Sequence, residues 1–359
     1  MTRLLLGALA LFAATACGSD ASVAPPTDSS AATTTMTAAP VTTSPPPTTT
    51  APAPRSAGCE NAVDAGTTTI ELVTADGLVR TATQLIPAGY DPDLATPLVI
   101  NFHGFGFTGP AHHASTDLTA VAERETFIVV SPQGSVAPVF QQTFWNTESG
   151  SPLAGFDGEL VDDVAFTEAL IDDLSSRLCV DADRIHATGL SNGGFFSSRL
   201  ACTLSARIAS VATVAGVFNP PACDQERPVP LLAIHGTNDP VVPFDATGSN
   251  LGDILSLDDD AVFALLVGER LPIPEIIDRW AEVNGCATTV TTTAIGSDVE
   301  RRDYDDCDAS TAFVIVTGGG HTWPGTTPQF ETIVGPTNQT FLASDMIWDW
   351  FAAHPRVEA

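Results

Sequence analysis

"GLSNGG", residues 189–194, lies between the strand-like "DRIHAT" (183–188) and the helix-compatible "FFSSRLAC" (195–202). A flexible glycine-rich loop is one reading of this junction. The other is a tight strand-to-helix turn that lifts the Ser191 hydroxyl clear of the backbone. In that turn Gly189 and Gly193 stand where side chains would clash as strand and helix close on one another. The pattern G-x-S-x-G occurs once in the chain, so the surrounding elements decide between the two.

Outward from this turn, short apolar runs alternate with amphipathic stretches. Residues 97–104 and 126–134 read as buried strands with a helix at 113–125 between them, and 161–178 reads as a helix with Val164, Leu170, Ile171 and Leu174 on one face. A strand at 184–189 and a helix at 192–202 flank the turn. Strands follow at 209–216 and 229–236, then a helix at 275–285, a strand at 311–319 and a closing helix at 343–354. Ahead of them, "TTTIELV" (67–73) and "LVRTATQLIP" (78–87) alternate like a hairpin at a sheet edge. The sum is an α/β fold: a mostly parallel sheet with helices on both faces, which binds ligands beyond the carboxyl ends of its strands.

A serine needs a base to take its proton and an acid to orient that base. Of seven histidines, His321 follows the last strand on the glycine-rich "TGGGHTWPG" (317–325), as a base swung over the sheet should. His112 and His113 form a polar pair before a helix, His186 lies inside a strand, and His354 is in the tail. His103 and His235 follow strands as "HG", where loop support is the ordinary duty. Asp239 ends a strand in "AIHGTNDPVVPF" (233–244). Asp162 and Asp163 suit a helix N-terminus instead, and 258–260 and 303–308 lack the spacing of a calcium loop. The order Ser191, Asp239, His321 is that of the α/β-hydrolase fold, with Asn192 N–H and Phe105 N–H (Gly106 as alternative) as oxyanion donors. Trp323, Phe107 and Phe244 are the expected substrate-binding residues. No HExxH or CxxC pattern occurs, so no metal and no cofactor is expected.

The 359 residues open with Arg3 and an apolar run too short for a comfortable span, which reads as an export signal over residues 1–17. "ATA" before Cys17 is either a cleavage site or part of a lipoprotein box that would lipidate Cys17 and anchor the protein to a membrane. Residues 18–57, rich in Ser, Thr, Ala and Pro, read as a disordered tether, leaving 58–359 as the catalytic domain. Beyond Cys17, the six cysteines Cys59, Cys179, Cys202, Cys223, Cys286 and Cys307 point to three disulfides with 15 arithmetically allowed pairings. All 14 basic residues are Arg and the net charge is −29, which opposes binding to nucleic acid or anionic lipid. A monomer is expected.

At this point the residues resemble a known family. "VDADRIHATGLSNGGFFSSRLAC" (180–202), "IHGTNDPVVPF" (234–244), "WAEVNGC" (280–286) and "GGGHTWPG" (318–325) are similar to the secreted poly(3-hydroxybutyrate) depolymerases and feruloyl esterases. "SPQG" (131–134), "FWNT" (144–147) and "VDDVAF" (161–166) add to the likeness, which runs over about 65–353. The resemblance implies Ser191 as nucleophile, Asp239 as acid and His321 as base, and disulfides Cys202–Cys223 and Cys286–Cys307, leaving Cys59–Cys179. Residues 245–274 look longer than the family's connection and read as a lid insertion, and the absence of a further domain after the last helix favours short or soluble esters over polymer granules. The expected activity is carboxylic ester hydrolysis through an acyl-enzyme, on short hydroxyalkanoate, hydroxycinnamate or similar esters. A serine peptidase or acyltransferase on the same fold, or an inactive surface binding protein, are the rivals. Activity on a peptide but not on a nitrophenyl ester would reveal the first.

Overall fold

Strands that are apolar along their whole length need cover on both faces, and this chain supplies it. The computed structural model describes residues 55–137, 141–147, 161–220, 223, 225–250, 252 and 271–356. The strands are β1 (Gly66–Val73), β2 (Val79–Ile86), β3 (Thr96–Phe102), β4 (Ile128–Pro132), β5 (Ser135–Ala137), β6 (Gln142–Phe144), β7 (Val180–Leu190), β8 (Ser210–Val214), β9 (Leu231–Gly236), β10 (Val290–Ala294), β11 (Val299–Tyr304) and β12 (Thr311–Val316). The helices are α1 (Gly109–Ser115), α2 (Leu118–Glu125), α3 (Asp163–Arg177), α4 (Asn192–Thr203), α5 (Ile273–Val283), α6 (Glu331–Val334) and α7 (Ala343–Ala353).

Ten strands make one sheet in the order β1-β2-β4-β3-β7-β8-β9-β12-β11-β10. The six from β4 to β12 run parallel, and antiparallel pairs close both edges. Alternation along each strand divides the core. Leu98, Ile100 and Phe102 of β3 face one side with Phe166 and Leu170 of α3, Phe196 of α4 and Trp280 of α5. Val99, with Leu232 and Ile234 of β9, faces the other beneath Leu118 of α2 and Ile347 and Phe351 of α7. The chain steps from β3 outward to β4, then returns to build β7, β8, β9 and β12 on the other side. The strand order therefore reverses between β3 and β7, where such sheets open a crevice.

Several expectations need correcting. The single helix at 113–125 is two, broken where Asp117 takes a left-handed φ of 56° and Thr116 turns inward to accept a hydrogen bond from Asn101 Nδ2 at 3.1 Å. Strand β11, "VERRDY", was hidden by its charges, which form in-strand pairs on an only partly buried surface. Residues just ahead of the expected boundary at 58 are held to the domain. Arg55 bridges to Asp181, and Ser56 Oγ donates to Leu178 O at 2.6 Å. The signal, Cys17 and all of the tether except residues 55–57 lie outside the described residues, as does most of the expected lid at 245–274. Disulfides join Cys59 to Cys179, Cys202 to Cys223 and Cys286 to Cys307, the pairing implied by the family resemblance. Among the described residues no helix is long and apolar enough to cross a membrane.

Candidate active site

Ser191 ends β7 with φ 55° and ψ −121°, a conformation that costs a non-glycine residue on the order of 1–3 kcal/mol and persists only where its surroundings over-determine it. Here they do. Ser191 N–H donates to Val214 O at 2.8 Å, and its own carbonyl accepts from Phe195 N–H at 2.9 Å. A Cβ on Gly193 would stand 2.1 Å from Phe102 O, and one on Gly216 2.4 Å from Ser191 O, so strand and helix meet only where side chains are missing. A serine at a helix N-terminus ordinarily spends its hydroxyl on capping. Ser191 makes no such bond. Asn192 follows as the first residue of α4, in the turn whose N–H groups have no intrahelical partner.

Asp239 and His321 lie in the loops after β9 and β12. His321 Nδ1–H donates to Asp239 Oδ2 at 2.8 Å, which leaves Nε2 as the lone-pair nitrogen. The other carboxylate oxygen accepts Val241 N–H and Val242 N–H, each at 2.8 Å. His235 Nε2 carries its proton toward Val242 O at 2.8 Å and stands 3.3 Å from Asp239 Oδ2. Burial pushes the Asp239 carboxyl up, but His321, His235 and these hydrogen bonds outweigh it and hold the group well below the usual carboxylate range. The His321 loop is pinned from behind, its N–H donating to Val334 O at 2.5 Å and that of Gly320 to Pro336 O at 2.7 Å.

The loop after β3 runs past the serine, and a Cβ on Gly104 would lie 3.5 Å from Ser191 Cβ. Phe105 is partly buried there, and Gly106 N–H donates to Thr143 O at 2.8 Å. His103 accepts Gly134 N–H at Nε2 (2.9 Å) and so donates from Nδ1 to Gly104 O (2.7 Å). Burial lowers its pKa to about 4, so it is a neutral loop support.

Phe107, Leu190, His321, Trp323 and Phe330 border one cleft of about 110 Å³. Trp323, expected to bind substrate, borders this cleft and also packs behind it. Its indole is 4% exposed, packs in the α2–α7 core and donates to Ser344 Oγ at 3.0 Å. Helix α7 supplies the core that a glycine-rich loop does not suggest. Phe107, 38% exposed, stands at the rim. Phe244 borders a separate cleft on the Asp239 side and stacks on Phe313, so it does not join the other two.

Asp162 caps α3 through Ala165 N–H at 2.9 Å. Asp163 is buried and ion-paired to Arg80 at 2.8 Å, which a capping role does not anticipate. His112 lies inside α1, its Nε2 2.9 Å from Asn101 Oδ1, and burial, with His103 and His113 nearby, lowers its pKa to about 3. Two residues support the site beyond the sequence reading, which gave Trp145 no role and His235 only loop support. Trp145 bonds the Asn192 side chain at both backbone groups, and His235 braces Asp239. Their signals were present in "FWNT" and in the "HG" that ends β9.

Parallel strands reversing at a central crevice, with a strained serine turn after β7, an acid after β9 and a histidine after β12, define the α/β-hydrolase fold. The phospholipase/carboxylesterase family model matches residues 89–256. Feruloyl esterase B of Piromyces equi is 28% identical over 242 residues, covering 66% of this chain but 41% of that protein. Feruloyl esterase C of Emericella nidulans is 28% identical over 276 residues, 75% of this chain and 82% of that one. The acetyl xylan esterase from Aspergillus awamori superposes with a TM-score of 0.52 at 14% identity, over 79% of this chain and 99% of its own, a likeness of fold. The chain has the α/β-hydrolase fold, matches the phospholipase/carboxylesterase model over part of its length and is similar in sequence to feruloyl esterases.

Proposed function

We propose that this protein is a serine carboxylic ester hydrolase acting through an acyl-enzyme on short hydroxyalkanoate, hydroxycinnamate or similar esters. The observation that carries the reading is the buried 2.8 Å bond between His321 and Asp239, at the same end of the sheet as a serine held at positive φ with its hydroxyl unspent. His321 Nε2 removes the Ser191 proton as the hydroxyl oxygen attacks the ester carbonyl. Asp239 holds the imidazole and balances the charge that forms on it. Asn192 N–H and Phe105 N–H receive the developing oxyanion, each contributing ~3 kcal/mol to lowering the barrier. His321 then protonates the departing alcohol, and water repeats the cycle to release the acid.

Three disulfides mark an oxidising compartment, in keeping with export, and lipidation of Cys17 with residues 18–57 as a tether is the arrangement we favour. A monomer needs no partner to complete the site. Labelling by a fluorophosphonate, mapped to Ser191 and matched to turnover on nitrophenyl acetate, nitrophenyl butyrate, methyl ferulate, acetylated xylan and hydroxybutyrate polymer, tests the reading. Hydrolysis that persists in Ser191→Ala overturns it.

A further inference from the structure

Two donors serve an oxyanion only if the gap between them is fixed before the charge appears. In this protein the two come from different parts of the chain, Phe105 in the loop after β3 and Asn192 at the start of α4. A third segment, Thr143–Trp145, joins them. Its grip on the loop has three points. Thr143 O accepts Gly106 N–H at 2.8 Å, Thr143 Oγ1 donates to Phe107 O, and Trp145 Nε1–H donates to His103 O at 3.0 Å. Its grip on the turn has two. Trp145 N–H donates to Asn192 Oδ1 at 2.7 Å, and Asn192 Nδ2 donates back to Trp145 O at 3.0 Å.

Trp145 is thus bonded to both sides of the gap, through its indole to one and its backbone to the other. The ring is 1% exposed, edge-on to Phe102 at 5.0 Å and stacked on Phe196 at 5.4 Å. The next residue is anchored as well. Asn146 N–H donates to Asp163 Oδ2 at 2.8 Å, and the other oxygen of that buried carboxylate holds Arg80 at 2.8 Å. Arg80 in turn lies over the Phe166 ring at 4.0 Å. A buried ion pair is a costly way to gain stability alone but a good way to fix one geometry.

We infer that Trp145 is a positioning residue which sets the spacing between the Phe105 and Asn192 N–H groups, its indole N–H holding the loop and its backbone holding the turn. The inference rests on the proposed serine chemistry. It follows that loss of the indole N–H damages the transition state while leaving substrate binding in place, because the ground-state ester does not load the oxyanion donors fully.

The test is Trp145→Phe, which keeps an aromatic ring between Phe102 and Phe196 and removes the N–H. Replacement by the isostere benzothienylalanine, which keeps the fused rings, covers the case in which the phenylalanine variant fails to fold. With nitrophenyl acetate we expect kcat to fall about 10–100-fold and KM to stay within about threefold, since a whole donor is worth about 10²–10³. Inhibition by phenylboronic acid, whose serine adduct is tetrahedral, should weaken in step with kcat. A variant that keeps wild-type kcat, or that raises KM alone, or that loses kcat with undiminished boronate affinity, overturns the inference. Wild-type protein without hydrolysis dependent on Ser191 overturns the functional reading instead, and the inference falls with it.

Discussion

His321 Nδ1 bonds Asp239 Oδ2 at 2.8 Å although 82 residues separate them. The sheet makes this neighbourhood. Strands β9 and β12 are parallel and paired in register, Val316 opposite Gly236, so the loops leaving them emerge side by side at one end. Each loop then needs only a few residues to bring its side chain to the other. If the pair works as proposed, Ser191→Ala and His321→Ala each lower kcat by ~10⁴ or more with the thermal midpoint unchanged, and Asp239→Asn loses somewhat less. Ester turnover within tenfold of wild type in Ser191→Ala removes the serine from the mechanism.

His235 supplies the finer test of that pair. Its Nε2 proton faces both Val242 O and Asp239 Oδ2, so it steadies the carboxylate without touching substrate. His235→Phe should lower kcat by about tenfold with little change in KM. His235→Gln, which can restore a donor, should recover part of the loss. A glutamine variant no better than phenylalanine would assign His235 to packing alone.

The two aromatic residues beside His321 should part company. Trp323→Ala opens a cavity in the α2–α7 core and removes the indole's hydrogen bond to Ser344, so it should destabilise by about 3–5 kcal/mol and lower kcat/KM alike on every ester. Phe107→Ala, at the exposed rim, should leave stability unchanged and cost about 1–2 kcal/mol in kcat/KM on an aromatic ester, with a smaller loss on acetate. Denaturation curves and paired substrates measure both, and equal losses on the two esters for Phe107→Ala would exclude it from the pocket.

Residues whose proposed role follows from position along the chain are legible in the sequence. Ser191, Asp239 and His321 each follow an apolar strand, and the order of those strands sets the order of the loops. The supporting ones act through contacts that no periodicity encodes. Trp145 matters because its short segment crosses between two loops, and His235 because β9 ends beside the acid. The charged strand β11 defeats a hydrophobic pattern since it lies second from the edge with its side chains only half covered. The packing of Trp323 is hidden for a related reason, since its loop is polar in sequence but its neighbour in space is α7.

The Cys286–Cys307 disulfide closes a separation of 21 residues around β10 and β11, and should contribute roughly 3 kcal/mol in the chain-entropy model. It also flanks Asn284, which is fully buried and donates to Val229 O and Thr311 Oγ1 at the base of β9 and β12. The double variant Cys286→Ser/Cys307→Ser should therefore lower stability by about that amount and lower activity through the loosened His321 strand. Peptide mapping without reduction that finds both thiols free refutes the bond itself.

Acid should unfold this protein earlier than its carboxylates alone would. His186 is buried in β7, its Nδ1 2.9 Å from Ser210 Oγ and its ring stacked on Phe351 at 4.6 Å. Burial first, then Arg184 and His354 nearby, lower its pKa to about 3. The unfolded chain binds the proton near pH 6.5, so between about 6.5 and 3 the unfolded state holds more protons than the native state. Stability from this group is complete above about 6.5 and falls as pH drops, by ~1.4 kcal/mol per pH unit. Asp239 has the same sign in a lower pH window. Its folded pKa is lowered, so its contribution is lost only below about pH 4. His103 and His112 share the His186 behaviour. Urea unfolding at pH 7 and pH 4.5 should show a steep loss in wild type. In His186→Gln, which keeps a partner for Ser210, the difference between the two pH values should shrink by roughly 2–3 kcal/mol. If the variant retains the full wild-type difference, His186 is not neutral in the native state and the assignment fails.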